Sequence, residues 1–432
     1  MLTSLYTAVS GMGANGVSLS VIGDNIANLN TIGFKASRIA FGDVLSQTIT
    51  GIAGSSQVGR GVLVSGVSPL FTQGSFETTT NALDMAVDGD GFFIVSDGSA
   101  RYYTRAGQFS IDKNGNIVNP DGLVLQGYLA DASGTITGTV GDLQISTKQS
   151  PANMTTKADI AVNLDSTATV PASPFTLDSN GDGTNDDPGN YNFSTTVTVY
   201  DSQGGSHQVT LYFVKTADNA WDVHYVHDDP ANPGQLIDAG TQALTFDSNG
   251  ALVDDNSGTP ISFNFGTAVT SPQDINFNYG TGTGETPAGT GLDGATQFAS
   301  DFAVINLTQD GYSAGAMKNI IISEDGVITG VFTNGQTRPI GQVALARFVA
   351  PTGLTKLGRN LYAESFDSGQ PIVGFPETSG LGRVLSHTLE LSNVDLAEEF
   401  VKMISAQRGF QANSRIITTT DDLLQEMINL KR

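Results

Sequence analysis

The chain has 432 residues, of which 43 are acidic and 20 basic, for a formal charge of −23. A surface of that sign repels phosphate backbones and anionic lipid, which argues against nucleic-acid or membrane-surface binding. Cysteine is absent, so disulfides, thiol catalysis and zinc–thiolate sites are excluded together.

The length accommodates two to four domains, and 51 glycines beside 39% hydrophobic residues favour a turn-rich chain of many short strands. No apolar run reaches about eighteen residues, so no segment reads as a transmembrane helix. The first residues have no basic region, apolar core or small-residue cleavage site, so a cleaved secretory signal is not expected.

From the N-terminus, Leu2, Leu5, Val9, Met12, Leu19 and Ile26 recur at helical steps, with Gly16 and Gly23 where the pattern skips. This predicts an amphipathic helix that lays a stripe on another helix. Residues 36–68 are small, polar and glycine-rich and read as an extended linker with little core. Short strands begin near Pro69. Three hairpins echo one another, with turns at Asn114-Gly115, Asn249-Gly250 and Asp325-Gly326.

Residues 151–295 hold 18 acidic side chains against Lys157 and Lys215 alone. Their alternating strands predict an antiparallel sheet in an acidic outer domain inserted into another. That block is expected to leave through the flexible run Gly280-Thr281-Gly282-Thr283-Gly284. Residues 69–150 and 296–385 then make one discontinuous β domain. A second helix starts near Ser392 or Asn393, either a plausible N-cap, with Asp395, Glu398 and Glu399 at its positive end. Its stripe runs Leu396, Met403, Ala406, Phe410, Ile417, Leu424 and Met427. Residues 1–35 and 386–432 are thus expected to form a coiled-coil-like terminal domain on a mainly β, multidomain chain. The two stripes can satisfy each other and still leave surface for neighbouring subunits.

Gly11-Met12-Gly13-Ala14-Asn15-Gly16 matches G-x-G-x-x-G, but a dinucleotide site needs a buried strand before it. These glycines read instead as packing positions on a helix. Asp178, Asn180, Asp182 and Asp186 resemble half a calcium loop, yet the twelfth position is Gly189 where a bidentate Glu is needed. His224 and His227 lie three apart in a strand and point to opposite faces, which suits a solvated strand end better than a metal site. No G-x-S-x-G or Walker A run occurs. The residues support neither an enzyme nor a cofactor.

The run Asn25-Ile26-Ala27-Asn28, with Thr31, Gly33, Phe34 and Lys35 after it, resembles the signature that follows the first helix in flagellar rod and hook axial proteins. Ser392 to Arg408 resembles that family's C-terminal signature. The stretch from Gly91 to Asp112, and Tyr200 to His207, is similar to the hook branch, which carries an inserted outer domain. The resemblance implies a subunit of the hollow, bendable hook that couples rod to filament and transmits torque. It also implies a helical homopolymer, unfolded export through the flagellar type III machinery, and contacts with the distal rod protein, hook cap protein and hook–filament junction protein at the extracellular basal body. A distal rod protein, and an extracellular adhesin or fibre subunit, remain the alternatives; an adhesin would not need helical stripes confined to both ends.

Overall fold

The computed structural model describes residues 2–44, 47–51, 54–131, 134–145, 149–177, 189–232, 234–256 and 258–429. It is mostly β, with a helix near each end: α1, Leu2–Ala27, and α2, Leu396–Asn429. The chain divides into two compact units. One comprises Met1–Thr147, Lys318–Val331 and Thr337–Arg432; the other comprises Lys148–Met317 and Phe332–Gln336.

In the first unit, Phe92–Ser96 lies at the centre of a sheet and is buried throughout. It pairs antiparallel with Arg101–Thr104, Val124–Ala130 and Leu345–Arg347. Phe92, Tyr103 and Phe348 pack edge-on in its core, at ring separations of 4.7 to 6.0 Å. Two short pairings bring the C-terminal part of the chain back to the N-terminal part. Arg383–Ser386 lies on Met85–Asp88, and Thr388–Glu390 lies on Phe76–Thr78. The second pairing sets Glu390 opposite Phe76, just before α2 begins.

Residues 36–68, expected as an extended linker, instead contain paired strands. Ser37–Asp43 runs antiparallel to Val62–Pro69, and Gln47–Gly51 to Gly54–Val58. Phe41, Leu63 and Val67 stay about half exposed, so this ribbon has backbone pairing without a core. Its Ser and Gly content masked the short alternating β runs on either side.

The second unit has a five-stranded antiparallel meander, Phe193–Tyr200, Ser206–Ala217, Ala220–Asp228, Leu236–Phe246 and Leu252–Asp254. A four-stranded sheet holds Lys157–Asn163 between Gln273–Asn278, parallel to it, and Ala303–Gln309, antiparallel. Val197, Leu211, Trp221, Tyr225, Ile160 and Phe277 share one buried cluster. Ala303–Gln309 therefore belongs with the acidic block, beyond the exit expected near residue 295. The glycine-rich run misled because it is packed rather than loose. A Cβ on Gly282 would collide with the Val253 carbonyl oxygen, and one on Gly294 with that of Tyr279. Glycine here permits close backbone approach.

The three echoing hairpins share a turn. The glycines at 115, 250 and 326 have φ of 89°, 80° and 78°, and the amide of each donates to the carbonyl three residues earlier. Positive φ is what that position demands.

His227 is 3% exposed, not solvated as expected, and rests on Phe263 and Phe265. His224, half-buried, pairs with Asp238 at 2.8 Å. Burial holds the His227 imidazole below its usual pKa of 6.5. Above pH 6.5 the ring is neutral in both folded and unfolded chains. As pH falls below 6.5 the unfolded chain takes up the proton first, so this unit loses stability down to the folded-state value. Asp201 acts in a lower window. Burial pushes it up, but the His207 ring at 2.8 Å and the Gly205 and Gln203 amides outweigh burial and hold it below 3.8. Trp221 is the chain's one tryptophan and is buried in this unit. Its fluorescence should report a lower melting temperature at pH 5.5 than at 7.5, with a smaller difference in His227→Asn. An equal slope in that variant would remove His227 as the cause.

Candidate assembly site

The helices pair antiparallel through their smallest side chains. On α1 the buried positions are Ala8, Gly11, Ala14, Ser18, Ile22 and Asn25. On α2 they are Glu399, Ala406 and Thr420, with Met403, Gly409, Asn413, Ile417 and Leu424 half-buried between and beyond them. Two reciprocal Asn–Gly contacts set the approach. The Asn413 amide sits where a Cβ on Gly11 would be 2.8 Å away, and Asn15 lies 3.0 Å from a Cβ on Gly409. Each Asn Nδ2 donates back to the glycine carbonyl four residues earlier in its own helix, at 2.8 and 3.0 Å. Small residues let two helix backbones come close, and the bonded amides fill the remaining space.

Of the expected stripes Ala406 is buried in the contact, and the larger side chains sit beside it. Leu5, Met12, Leu19, Ile26, Met403, Ile417 and Leu424 are half-buried, whereas Val9, Leu396, Phe410 and Met427 are exposed; the side chain of Leu2 lies outside the described residues. Tyr6 and Val17 on α1 and Phe400, Val401, Ile404 and Leu423 on α2 are also exposed. Of the glycines expected to pack, Gly11 does. At Gly13, Gly16 and Gly23 a Cβ would meet nothing within 4 Å.

Below the helices the two signature runs meet. Asn25 is 2% exposed; its Nδ2 donates to the Ser37 carbonyl and to Glu399 Oε2, while its Oδ1 accepts the Ser37 amide at 2.8 Å. Asn28 bonds back to Asp24 and accepts from Thr31; Ala27 is exposed. Gly33, at φ 70°, donates to the Glu390 carbonyl at 2.7 Å. Phe34 packs with Ala36 and Val394 and lies under the Lys356 ammonium, 4.6 Å from the ring centroid. Lys35, fully buried, reaches Glu390 Oε1 at 2.5 Å and the Thr72 carbonyl at 2.8 Å. Glu390 also accepts the Gly74 amide at 2.9 Å and faces Arg105 at 3.4 Å. Burial lowers the pKa of both Lys35 and Arg105, and Glu390 opposes that shift in each.

The cap of α2 differs from expectation. Asp395 Oδ1 accepts the Ala397 and Glu398 amides at 2.8 and 3.1 Å and is the N-cap. Asn393 is spent elsewhere. Its Oδ1 takes the Ala36 amide at 2.7 Å and its Nδ2 donates to Leu70 and Thr72. The roles of Glu390, Arg105 and Asn393 had no local signal, because their partners lie far away along the chain.

Asp178, Asn180, Asp182 and Asp186 lie outside the described residues. Among those described, one carboxylate trio converges, Asp254, Asp255 and Glu285, with ligand atoms within 4.8 Å. Asp255 there accepts the Tyr279 amide at 2.9 Å, a structural use of the group. No helix among the described residues is long and apolar enough to cross a membrane.

Family models match both ends and the middle. Residues 5–35 match "Flagella basal body rod protein" and 385–430 match "Flagellar basal body rod FlgEFG protein C-terminal". Residues 86–171 match "Flagellar hook protein FlgE/F/G D1 domain" and 163–312 match "Flagellar basal body protein FlaE D2 domain". Helices clasped at both ends of a β body, carrying these models, define a flagellar rod or hook component.

The full-length relatives narrow that class. The chain is 37% identical to the flagellar hook protein FlgE of Borreliella burgdorferi over 100% of both chains. It is 35% identical to that of Salmonella typhimurium over 99% of this chain and all of the other, and 36% identical to that of Escherichia coli over 98% and 99%. The crystal structure of Helicobacter pylori flagellar hook protein FlgE2 shares the fold, with TM-score 0.50 and 17% identity over 71% of this chain and 98% of that one. The chain belongs to the flagellar hook protein FlgE family. It is a structural subunit of the hook, a polymeric component of the flagellum that serves motility.

Proposed function

We propose that subunits polymerise through the outward faces of α1 and α2, making a hollow, bendable helical tube that couples rod to filament. One observation carries this reading: the helix pair spends its small residues on itself and leaves Tyr6, Val9 and Val17 on α1 and Val401, Ile404 and Leu423 on α2 exposed. Burying such side chains is worth roughly 1.5–3 kcal/mol each, so a face left open this widely favours neighbours. Residues Leu2, Leu5, Met12, Leu19, Ile26, Met403, Ile417 and Leu424 would flank the same contact. The outer, acidic unit would keep free subunits soluble, and polar outer contacts would slide during bending because well-packed apolar ones resist it.

Kinship with hook proteins supports a finer setting. The subunit would be exported unfolded by the flagellar type III machinery. It would act outside the cell, between the distal rod protein and the hook–filament junction protein, and assemble under a hook cap protein.

Deleting residues 1–30 or 393–432 tests the mechanism. Trp221 fluorescence should remain native-like, while electron microscopy of either truncated protein at rising concentration should show no tubes. Tubes from either one would sink the terminal-helix mechanism.

A further inference from the structure

The β part of the first unit presents a knob and a pocket that its own chain does not bring together. The knob is Phe366, 101% exposed, more than any other large apolar residue described. It stands on a tightly bonded turn. Ser365 Oγ donates to the Gly353 carbonyl at 2.5 Å and accepts the Asp367 and Ser368 amides, and the fully buried Ser368 bonds back to the Ser365 carbonyl at 3.0 Å. The backbone that carries the ring is therefore fixed, with the exposed Asp367 carboxylate beside it. A preorganised group loses little entropy on binding.

The pocket has a volume of about 340 Å³ and aromatic walls, Phe71, Phe92 and Phe348, with Val349 on its rim. A cavity of ~150 Å³ accepts a benzene ring, so this one takes a phenylalanine side chain with space to spare. Arg105 and Arg347 line it together with Asp90. Arg105 is 4% exposed and its charge is already met by Glu390 and Asp90. Arg347 has no ion pair among the described residues. Val349, at 81% exposure, extends the apolar surface around the mouth.

We propose that Phe366 of one subunit seats in this aromatic pocket of a second copy of the same chain, with Asp367 meeting Arg347. The occupant follows from complementarity: an aromatic-walled cavity that carries the Arg347 guanidinium fits an aromatic side chain flanked by a carboxylate. The turn that carries the knob is bonded to Ala350 and Gly353, next to the pocket-lining residues Val349 and Pro351. In the polymer each subunit would give its knob to one neighbour and its pocket to another, a head-to-tail contact that repeats along a helical array. The proposal rests on the hook-subunit reading and adds to it a contact made by the β body, separate from the helices.

The test uses the full-length chain and sedimentation of polymer. Phe366→Ser removes only an exposed ring and should raise the critical concentration for assembly roughly ten- to a hundredfold, the loss expected for one buried aromatic, with an unchanged melting temperature. Asp367→Arg and Arg347→Asp should each weaken assembly, and the double variant should recover it at least in part. The natural absence of cysteine permits a direct readout. Subunits carrying Phe366→Cys mixed with subunits carrying Val349→Cys should form a disulfide-linked pair in polymer, and neither should do so alone. Assembly of Phe366→Ser at the parental concentration, or no mixed cross-link in polymer, would overturn the contact and leave the helix mechanism standing. A parent chain that forms no tubes would instead overturn the assembly reading and this contact with it.

Discussion

Glu390→Ala is expected to destabilise the first unit by roughly 3–5 kcal/mol, the cost of leaving buried charge uncompensated. Glu390 is fully buried and is the shared counter-ion of Lys35, at 2.5 Å, and Arg105, at 3.4 Å. Removing it strands two cations and also the Gly74 amide. Neither cation can move to water, because the Lys35 side chain has no exposure and that of Arg105 has 5%. Chemical denaturation followed by far-UV circular dichroism would measure the loss, while Trp221 fluorescence shows whether the second unit unfolds separately. The Lys35→Met, Glu390→Leu double variant should recover part of the loss, since it buries apolar atoms in place of one pair. A drop below about 1 kcal/mol in Glu390→Ala would mean that water reaches the cluster and that the ions are not its structural centre.

Gly11→Leu is expected to force the helices apart and abolish assembly, whereas Gly13→Leu should leave the helix pair intact. The two sites differ in what a side chain meets. At Gly11 even a Cβ is 2.8 Å from Asn413 Nδ2, and at Gly13 nothing lies within 4 Å. Alanine at Gly11 is a near-balanced case, because the gain of about 1 kcal/mol in helix propensity offsets a displaced amide. A branched four-carbon side chain has no such escape, and overpacking of this kind commonly costs about 1–3 kcal/mol. Cross-linking of cysteines placed at Ser4 and Thr420 in each variant, with circular dichroism, would compare helix pairing. Equal cross-linking in Gly11→Leu and the parent would show that the interface yields without cost.

Much of the architecture is legible locally. Apolar spacing of three and four residues marks both ends as helices, and alternation with Asn-Gly or Asp-Gly turns marks the body as strands. The charge bias of residues 151–295 sets apart most of the second compact unit. Those signals sit within a few residues of one another. Some cues misled for a shared reason. Gly282 looked flexible but is held against backbone, and residues 36–68 looked like a linker but pair as ribbons. Composition reports how free a segment could be, and packing decides how free it is.

By itself, then, the sequence determined helical ends, a β body, an acidic insertion and the flagellar axial kinship, because period, turn chemistry and signature runs are written in neighbouring residues. Only the tertiary structure decided which face of each helix is used within the chain. Large side chains marked a stripe, yet Ala8, Gly11, Ala14 and Ser18 were buried, since small residues alone let the backbones approach. It also decided that Lys35 and Glu390 form one ion pair across 355 positions. Nothing local encodes that partner; the return of Thr388–Glu390 to Phe76–Thr78 places it there.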